Sequence, residues 1–349
     1  MKRTNRAGPP SLPDMALEEF FDRALEAFSR VQGSRREVAR IGPLQIELNV
    51  GSALARRKWS EPLALRQATN DAVDGRFYIW DDSAGSTAFP APPWGKNYVY
   101  THRGDVRGFS SEVIRVAFNY DSKLLNLWHT ERKIGIYWTR DLRSLPSYEW
   151  AAPLRTQLHW LGTSNGLQLT HAGVVGLNGM GLLLAGKGGS GKSTTSLACW
   201  NAGWQFVSDD YCWIGHEPTT RAYTVYKTAK LLPDVTTDLP TWNRVEHLSD
   251  EKYVYQLDQL GCRNLVSELE LSALLLPRPT DVKSPALRPA TLRDAQATLS
   301  LSTMAQLAGA GAENMAHLRE TSSRLDKYHL DLCFPTSSVP PLLKRLLER

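Results

Sequence analysis

The chain has 349 residues, of which 42% are hydrophobic and 22% are charged. This size allows two domains with separate cores, and no apolar stretch reaches the ~20 residues that a membrane-spanning helix needs. The formal net charge of +5 is scattered. It would suit an acidic peptide or a phosphate-rich ligand, but it favours an ordinary solvated surface, and the sequence contains no RNA-recognition, zinc-finger or basic-zipper pattern.

The N-terminus and the cysteines bear on the compartment. Met1, Lys2 and Arg3 are basic, but no apolar segment follows them, so we expect a cytoplasmic location without a secretory signal. No two cysteines form a C-x-x-C pair, which predicts reduced, buried thiols rather than disulfides or a zinc site. The four are Cys199, Cys212, Cys262 and Cys333.

The N-terminal region is predicted to start with a disordered tail over residues 1–13, which hold three prolines. Apolar residues at helical spacing then predict an amphipathic helix over residues 15–31. The stretch 81–96 is rich in proline, glycine and serine and is typical of a long loop. Strand-like runs occur at 98–100, 113–119, 124–128 and 133–138.

Tryptophan is concentrated in this first part of the chain. Seven of the eleven tryptophans lie between Trp59 and Trp160, a pattern more typical of core packing than of a ligand platform. We therefore expect residues 14–162 to form an α+β domain of unassigned fold, with a second domain over residues 163–349.

A β-hairpin is predicted at the start of the second domain. Asn178 and Gly179 separate the apolar pair Val174–Val175 from the apolar run 182–185. Because Asn-Gly between two apolar runs is a strong hairpin signal, the two strands should pair antiparallel. Most nucleotide-binding α/β domains instead place a parallel strand at this point.

Residues 186–194 read GKGGSGKST and fit the pattern G-x-x-x-x-G-K-[ST]. In such a loop, backbone N–H groups surround phosphate oxygens, the lysine reaches the β/γ-phosphates and the hydroxyl reaches Mg²⁺. The apolar run before it and a predicted helix over 194–202 supply the required strand–loop–helix order. We predict that ATP or another nucleoside triphosphate is held by Gly186, Lys187, Gly188, Gly189, Ser190, Gly191, Lys192, Ser193 and Thr194.

An acidic pair follows the next predicted strand, 204–207, which ends in Ser208, Asp209 and Asp210. Only one helix separates this strand from the loop, so we expect the two strands to be close neighbours, with the carboxylates at the ligand-binding edge of the sheet. One carboxylate could hold Mg²⁺ and the other could accept the proton of an attacking hydroxyl. A surface pair that caps a turn is the alternative. His171, taken alone, is typical of a structural histidine.

The rest of the chain predicts a strand over 223–231, helices over 293–309 and 313–325, a strand over 328–334 and a final helix over 339–348. Five basic residues are candidates to stabilise the charge of a transferred phosphoryl group. They are Lys187, Lys227, Lys230, Arg244 and Arg263, among which Lys230 is preferred.

Residues 171–214 resemble the catalytic domain of HPr kinase/phosphorylase and its relatives, including lasso-peptide precursor kinases. His171 lies fifteen residues before Gly186, and Asp209 and Asp210 lie 23 and 24 residues after it. The resemblance implies an α/β fold, with a P-loop core of the HPr kinase/PEP carboxykinase type and a mixed sheet. It also implies transfer of the γ-phosphoryl group of ATP to a serine of a protein or peptide.

The resemblance also implies roles for the site residues. Lys192 and the loop amides would hold phosphates, Ser193 and Asp210 would hold Mg²⁺, Asp209 would be the base and His171 would line the site. The division between the two aspartates stays open, because adjacent acids titrate as a pair. Thr194 stands where HPr kinase has glutamate, which weakens the case for a further metal carboxylate. The signature of the phosphorylase reaction is missing, which favours the kinase reaction.

Two other functions stay open from the sequence. One is a kinase for a small hydroxylated metabolite, and the other is a nucleotide-dependent regulator or assembly protein without transfer activity. We expect a serine-bearing protein or peptide as partner, no nucleic acid and no membrane. Homo-oligomers, which this family often forms, are a further expectation.

Overall fold

The structure, a computed structural model, describes residues 12–70, 72–82, 89–95, 98–231, 253–260 and 264–348. The predictions for the tail over residues 1–11 and for Arg244, Cys262 and Arg263 lie outside these ranges. Two large sheets, each flanked by helices, organise the described residues. The fold is mixed α/β with parallel and antiparallel strand pairs.

The first sheet has seven strands in the order β3-β1-β2-β4-β7-β6-β5, and β4 pairs parallel with both β2 and β7. Phenylalanines of the first helix pack against Trp80 on one face of this sheet. The elements are α1 (Leu12–Ser29), β1 (Arg35–Ile41), β2 (Leu44–Val50), α2 (Ala53–Ala55), a π-helical turn (Arg56–Ser60), β3 (Arg66–Gln67), β4 (Gly75–Asp81), β5 (Ile114–Asn119), β6 (Leu124–His129) and β7 (Ile134–Thr139).

The predictions for this region are confirmed in part. Helix α1 exists but begins at Leu12, so Pro13 lies in the first helical turn, where a missing N–H removes no helical hydrogen bond. The strand predicted at 98–100 is wrong, because only an isolated bridge joins Tyr100 to Val106. The predicted core packing is confirmed for five of the tryptophans, which are buried: Trp59, Trp80, Trp94, Trp128 and Trp160.

Two helices connect the first sheet to the second: α3 (Ser147–Ala151) and α4 (Arg155–Thr163), preceded by a 3-10 turn (Leu142–Ser144). One core joins side chains of α4 to both sheets. The Trp160 indole N–H donates to the Ala308 carbonyl at 2.9 Å, and the Trp213 indole N–H donates to the Leu158 carbonyl at 3.1 Å. The domain boundary predicted near residue 162 therefore falls inside α4, whose side chains pack against both sheets.

The second sheet has the strand order β10-β8-β11-β12-β15-β17-β16, and β9 pairs with both β8 and β15. Its elements are β8 (Gln168–Leu177), β9 (Met180–Ala185), α5 (Lys192–Asn201), β10 (Gln205–Ser208), β11 (Tyr211–Gly215), β12 (Arg221–Thr224), β13 (Thr228–Leu231), β14 (Tyr253–Gln256), a 3-10 turn (Leu257–Leu260), β15 (Glu268–Pro279), β16 (Ala286–Pro289), α6 (Leu292–Met304), α7 (Ala312–Arg324), β17 (Asp326–Leu332), a 3-10 turn (Thr336–Ser338) and α8 (Val339–Leu347). Strands β13 and β14 form a separate ribbon.

The predicted hairpin is confirmed. Strands β8 and β9 pair antiparallel with Leu177 opposite Met180. Asn178 and Gly179 have φ of +51° and +85°, the left-handed conformation that a two-residue hairpin turn with right-handed twist requires.

The sequence predicts that the strand before the acidic pair lies beside the strand before the glycine-rich loop. The two strands, β10 and β9, do not pair directly. Strand β8 lies between β10 and β9 and is antiparallel to both. Strands β9 and β10 therefore run in the same direction, and their carboxyl ends still meet at one edge of the sheet.

The later elements differ from the prediction in three places. The helix predicted over 293–309 ends at Met304. The strand predicted over 223–231 is two strands, β12 and β13, which belong to different sheets. The twelve-residue strand β15 was not predicted. Its run 271–277 is almost continuously apolar, because β15 is paired on both edges and half-buried or buried along most of its length, so it lacks the alternation that marks a strand.

Cys199, Cys212 and Cys333 are free thiols and are buried. No helix within the described residues is both long and apolar enough to cross a membrane.

Candidate functional site

The glycine-rich loop connects β9 to α5 at the carboxyl edge of the second sheet. Gly191 precedes α5 with φ of +96°, and a Cβ there would lie 2.3 Å from Leu332 Cδ1. A Cβ on Gly186 would lie 2.4 Å from Ser190 Oγ. Both positions therefore require glycine. The loop leads into a ten-residue helix, whose N-terminal N–H groups and dipole favour an anion at this edge.

Lys192 and Ser193 occupy the first two positions of α5. The Lys192 side chain is buried, and its Nζ donates to the Gly186 carbonyl at 2.7 Å. Ser193 is half-buried and donates its hydroxyl hydrogen bond to the Asp209 carboxylate. Lys187, Gly188 and Gly189 are exposed, whereas Thr194 is half-buried in the helix.

Asp209 and Asp210 lie in a break between β10 and β11. These two strands pair one after the other with the same neighbour, β8. Ser208 is opposite Val174 and Tyr211 is opposite His171, so the two aspartates are outside the regular ladder. The Ser208 hydroxyl accepts from the Asp210 N–H at 3.2 Å and donates to the Tyr211 carbonyl at 2.8 Å. This local turn allows both carboxylates to reach the same edge of the sheet.

Asp210 is held by two nitrogen atoms. Its Oδ1 lies 3.0 Å from His171 Nε2, and its Oδ2 lies 2.5 Å from Lys230 Nζ. Burial alone would raise the pKa of Asp210, but the Lys230 ammonium and the hydrogen bond from His171 hold that pKa well below its ordinary value. Asp210 is therefore a stable carboxylate.

Asp209 has the opposite electrostatic character. Burial and the neighbouring charge of Asp210 raise its pKa to about 6, although the Lys230 N–H, which donates to Asp209 Oδ2 at 3.1 Å, works against this rise. Two adjacent carboxyl groups thus have pKa values displaced in opposite directions. This arrangement allows one of them to exchange a proton near neutral pH while the other stays charged.

His171 belongs to a hydrogen-bond chain that includes Tyr211 and Gln306. The Oε1 atom of Gln306 accepts a hydrogen bond from the Tyr211 hydroxyl, and the Nε2 atom of Gln306 lies 2.8 Å from His171 Nδ1. With Gln306 donating to Nδ1, the His171 Nε2–H donates to Asp210. Burial lowers the pKa of His171, against the effect of Asp210, which agrees with this neutral form.

Helix α6 supports this chain from the opposite side. Thr291 and Asp294 form a capping box at its start. Near its end, the Ser302 carbonyl accepts from Gln306 Nε2 at 3.0 Å, and the Thr303 hydroxyl accepts from the backbone N–H of His171 at 3.2 Å. The orientation of His171 is therefore determined by a distant helix as well as by its own strand.

Sequence reasoning missed Arg155, Glu149 and Gln306. Arg155 begins α4, lies 3.5 Å from Glu149 and donates to the Tyr211 hydroxyl. Burial alone would lower the pKa of Arg155, but Tyr211 and Glu149 raise it, so the side chain stays a cation. Nothing in the local sequence marks these residues. Only the position of Tyr211, directly after the acidic pair, could have drawn attention to this network.

A cavity of about 600 Å³ opens beside Lys230. Loops of the first sheet form one wall, and the residues that follow α6 form another. The residues around it are Tyr100, Thr101, His102, Arg103, Gly104, Asn119, Tyr120, Asp121, Tyr148, Arg155, Lys230, Ala305 and Gln306. The two parts of the chain thus build one concave surface next to the acidic pair.

The remaining predicted residues lie as follows. Lys230 in β13 contacts both aspartates, whereas Lys227, directly before β13, pairs with Asp258 at 2.6 Å. Within the described residues, no group of three or more His, Cys, Asp or Glu side chains could hold a metal. The hydroxyl oxygen of Ser193, which donates its hydrogen to the Asp209 carboxylate, is nevertheless a hard ligand atom that fits Mg²⁺ when phosphates and water complete its shell.

The fold and site define a mixed α/β protein with a glycine-rich loop, a coupled acidic pair and an adjoining cavity. No protein-family model and no curated protein matches the sequence. Among solved structures, the chain is similar to the Hpr(Ser) kinase/phosphatase from Coxiella burnetii at 18% sequence identity, over 52% of this chain and 94% of that chain, with a TM-score of 0.28. This likeness indicates a distant structural relationship and carries no argument about activity.

Proposed function

We propose that this protein is a kinase that transfers the γ-phosphoryl group of ATP to a serine hydroxyl of a protein or peptide. The observation that carries this proposal is the geometry of the acidic pair. Asp209 accepts from Ser193 at the start of α5, whereas Asp210 pairs with Lys230 at 2.5 Å, and this difference displaces the two pKa values in opposite directions. A protein that only binds nucleotide has no need of a carboxyl group prepared for proton transfer.

The loop residues have the chemistry to hold the donor. Backbone N–H groups of residues 186–191, the start of α5 and Lys192 would bind phosphate oxygens. Mg²⁺, bound through Ser193, would neutralise charge on the phosphates. Asp210 was predicted to hold the metal with Ser193. It would join the metal only by giving up its contact with Lys230, so its present contacts favour an anchoring role.

The acceptor chemistry is assigned to Asp209. With a pKa of about 6, Asp209 is mainly ionised at neutral pH and can accept the serine proton as the oxygen–phosphorus bond forms. The bond between the γ-phosphorus and the bridging oxygen breaks, and its electrons leave with ADP. Lys230, fixed by Asp210, supplies positive charge beside the transferring group, and His171 fixes Asp210 from the other side.

Transfer of labelled phosphate from ATP in a native lysate tests this function. The purified protein with ATP and Mg²⁺ should label a polypeptide, with phosphoserine as the product by mass spectrometry. Lys192→Ala should abolish the labelling by weakening phosphate binding. Asp326→Asn, an exposed change at the opposite end of the sheet, is the matched control and should label normally. Absence of any labelled polypeptide would contradict the proposal.

A kinase for a small hydroxylated metabolite is the second candidate, because the cavity volume of about 600 Å³ is within the usual range of small-molecule sites. Label that appears in the small-molecule fraction of the same lysate, and in no polypeptide, would favour that candidate. ATP binding without transfer to either fraction would favour a nucleotide-dependent regulator.

A further inference from the structure

We propose that the cavity beside Lys230 binds the acceptor segment and selects a serine that is flanked by acidic side chains. This inference rests on the proposed kinase function and adds to it the class of peptide that the site accepts.

The cavity adjoins the acidic pair. Lys230 lines the cavity and contacts Asp210 directly, and Gln306 lines it and contacts Asp210 through His171. None of residues 186–194, all of which the structure describes, lines the cavity. Asp209 contacts Ser193 on the loop side, and both aspartates contact Lys230, which lines the cavity, so the acidic pair connects the loop to the cavity. In-line phosphoryl transfer requires the donor and the acceptor on opposite sides of the moving group.

Cations outnumber carboxylates in the lining of the cavity. The described residues that line the cavity include the cations Arg103, Arg155 and Lys230, together with His102, but only one carboxylate, Asp121. The carboxylates that pair with the three cations lie outside the lining. Cationic donors thus face the cavity, and an acidic side chain that enters it would gain charge-assisted hydrogen bonds in a partly desolvated setting.

Hydrogen bonds hold two of these cationic side chains in place. Arg103 donates to the carbonyl groups of Met304 and Ala310 at 3.3 Å, so its guanidinium is fixed as part of the wall. Arg155 donates to Tyr211, whose hydroxyl donates to Gln306. The same hydrogen-bond chain continues to His171 and Asp210. A carboxylate bound at Arg155 would therefore lie beside the network that holds the catalytic pair.

The size of the cavity suits a short peptide segment. A volume of about 600 Å³ lies within the roughly 300–1,000 Å³ of ordinary ligand pockets. It holds a few residues of an extended segment rather than a folded surface. The net charge of +5 favours encounter with an acidic segment.

The test uses the full-length protein with labelled ATP, Mg²⁺ and three peptides that share one central serine. The residues on both sides of the serine are Glu, Gln or Lys in the three peptides. We expect kcat/KM to be about tenfold higher for the Glu peptide than for the Gln peptide, and lowest for the Lys peptide.

Two variants link the preference to the cavity. Asp121→Asn removes the exposed lining carboxylate and should lower KM for the Glu peptide about threefold, with little change for the Gln peptide. Arg155→Gln combined with Glu149→Gln removes a charge pair together and should abolish the preference for the Glu peptide. Asp326→Asn is the control for the first variant, because it makes the same change away from the cavity.

The outcomes separate the two proposals. Transfer to all three peptides at equal kcat/KM would overturn the acidic preference while the kinase function stands. A preference for the Glu peptide that Asp121→Asn leaves unchanged would overturn the role of the cavity, even if the double variant fails to fold. No transfer to any peptide would overturn both the kinase function and this inference.

Discussion

The Nζ atom of Lys230 lies 2.5 Å from Oδ2 of Asp210, and the backbone N–H of the same lysine donates to Asp209 at 3.1 Å. One residue of β13 thus contacts both carboxylates in the break between β10 and β11. Its ammonium stabilises the charge of Asp210, while its N–H contacts Asp209. The difference in pKa between the two aspartates therefore depends on β13, a strand that lies outside both large sheets.

Replacement of Lys230 tests this dependence. Lys230→Met should reduce kcat for phosphoryl transfer by roughly 100-fold or more, because it removes positive charge beside the transferring group and leaves Asp210 without its cation. ATP binding, measured by calorimetry, should change much less. Lys227→Met, which removes a partly exposed lysine paired with Asp258, is the matched control. A kcat within threefold of wild type for Lys230→Met would contradict the assigned role.

The pH dependence of the reaction should follow Asp209. Its pKa is about 6, so the base is protonated below that pH and ionised above it. The value of kcat/KM should therefore rise with pH, by about tenfold per unit below pH 6, and level off above it. A pH–rate profile from pH 5 to 8 measures this. A profile that stays flat across this range would show that Asp209 is not the base.

The free energy of unfolding should depend on Gly191 more than on Gly188. Gly191→Ala combines a φ of +96° with a Cβ 2.3 Å from Leu332, whereas a Cβ on Gly188 meets nothing within 4 Å. Gly191→Ala should lower the free energy of unfolding by about 1–3 kcal/mol, and Gly188→Ala by less than about 0.5 kcal/mol. Chemical denaturation without nucleotide measures both values, and equal effects would contradict the geometry.

The shared core around α4 should make the two parts of the chain unfold together. Trp160→Ala removes a buried side chain and its hydrogen bond to Ala308, and should lower the free energy of unfolding by about 3–5 kcal/mol. Fluorescence and circular dichroism should report a single coincident transition for wild type and variant. Two separated transitions would instead support independent domains over residues 14–162 and 163–349.

The sequence identified the parts of the site that local patterns specify. The Asn178–Gly179 turn, the apolar strand before Gly186 and the helix after it are each signalled by adjacent residues, and all three are present. The acidic pair was recognised because it follows a short strand. The assignment of nucleotide and metal to these residues stays a prediction, and so does the role of each aspartate.

The parts that the sequence could not indicate depend on long-range contacts. Arg155 lies more than fifty residues before Asp210, and Gln306 nearly one hundred after it, yet both belong to the same hydrogen-bond chain. Neither residue stands in a recognisable pattern. The cavity likewise requires the first-sheet loops and the end of α6 to meet, which only the packing of the two sheets determines.

The most direct test of the central claim compares wild type with Asp209→Asn at saturating ATP, with transfer to serine and ATP affinity measured on the same samples. If Asp209 is the base, the variant should keep its affinity for ATP within a few-fold and lose at least about 99% of the transfer rate. Equal rates of serine phosphorylation by the two proteins would contradict it.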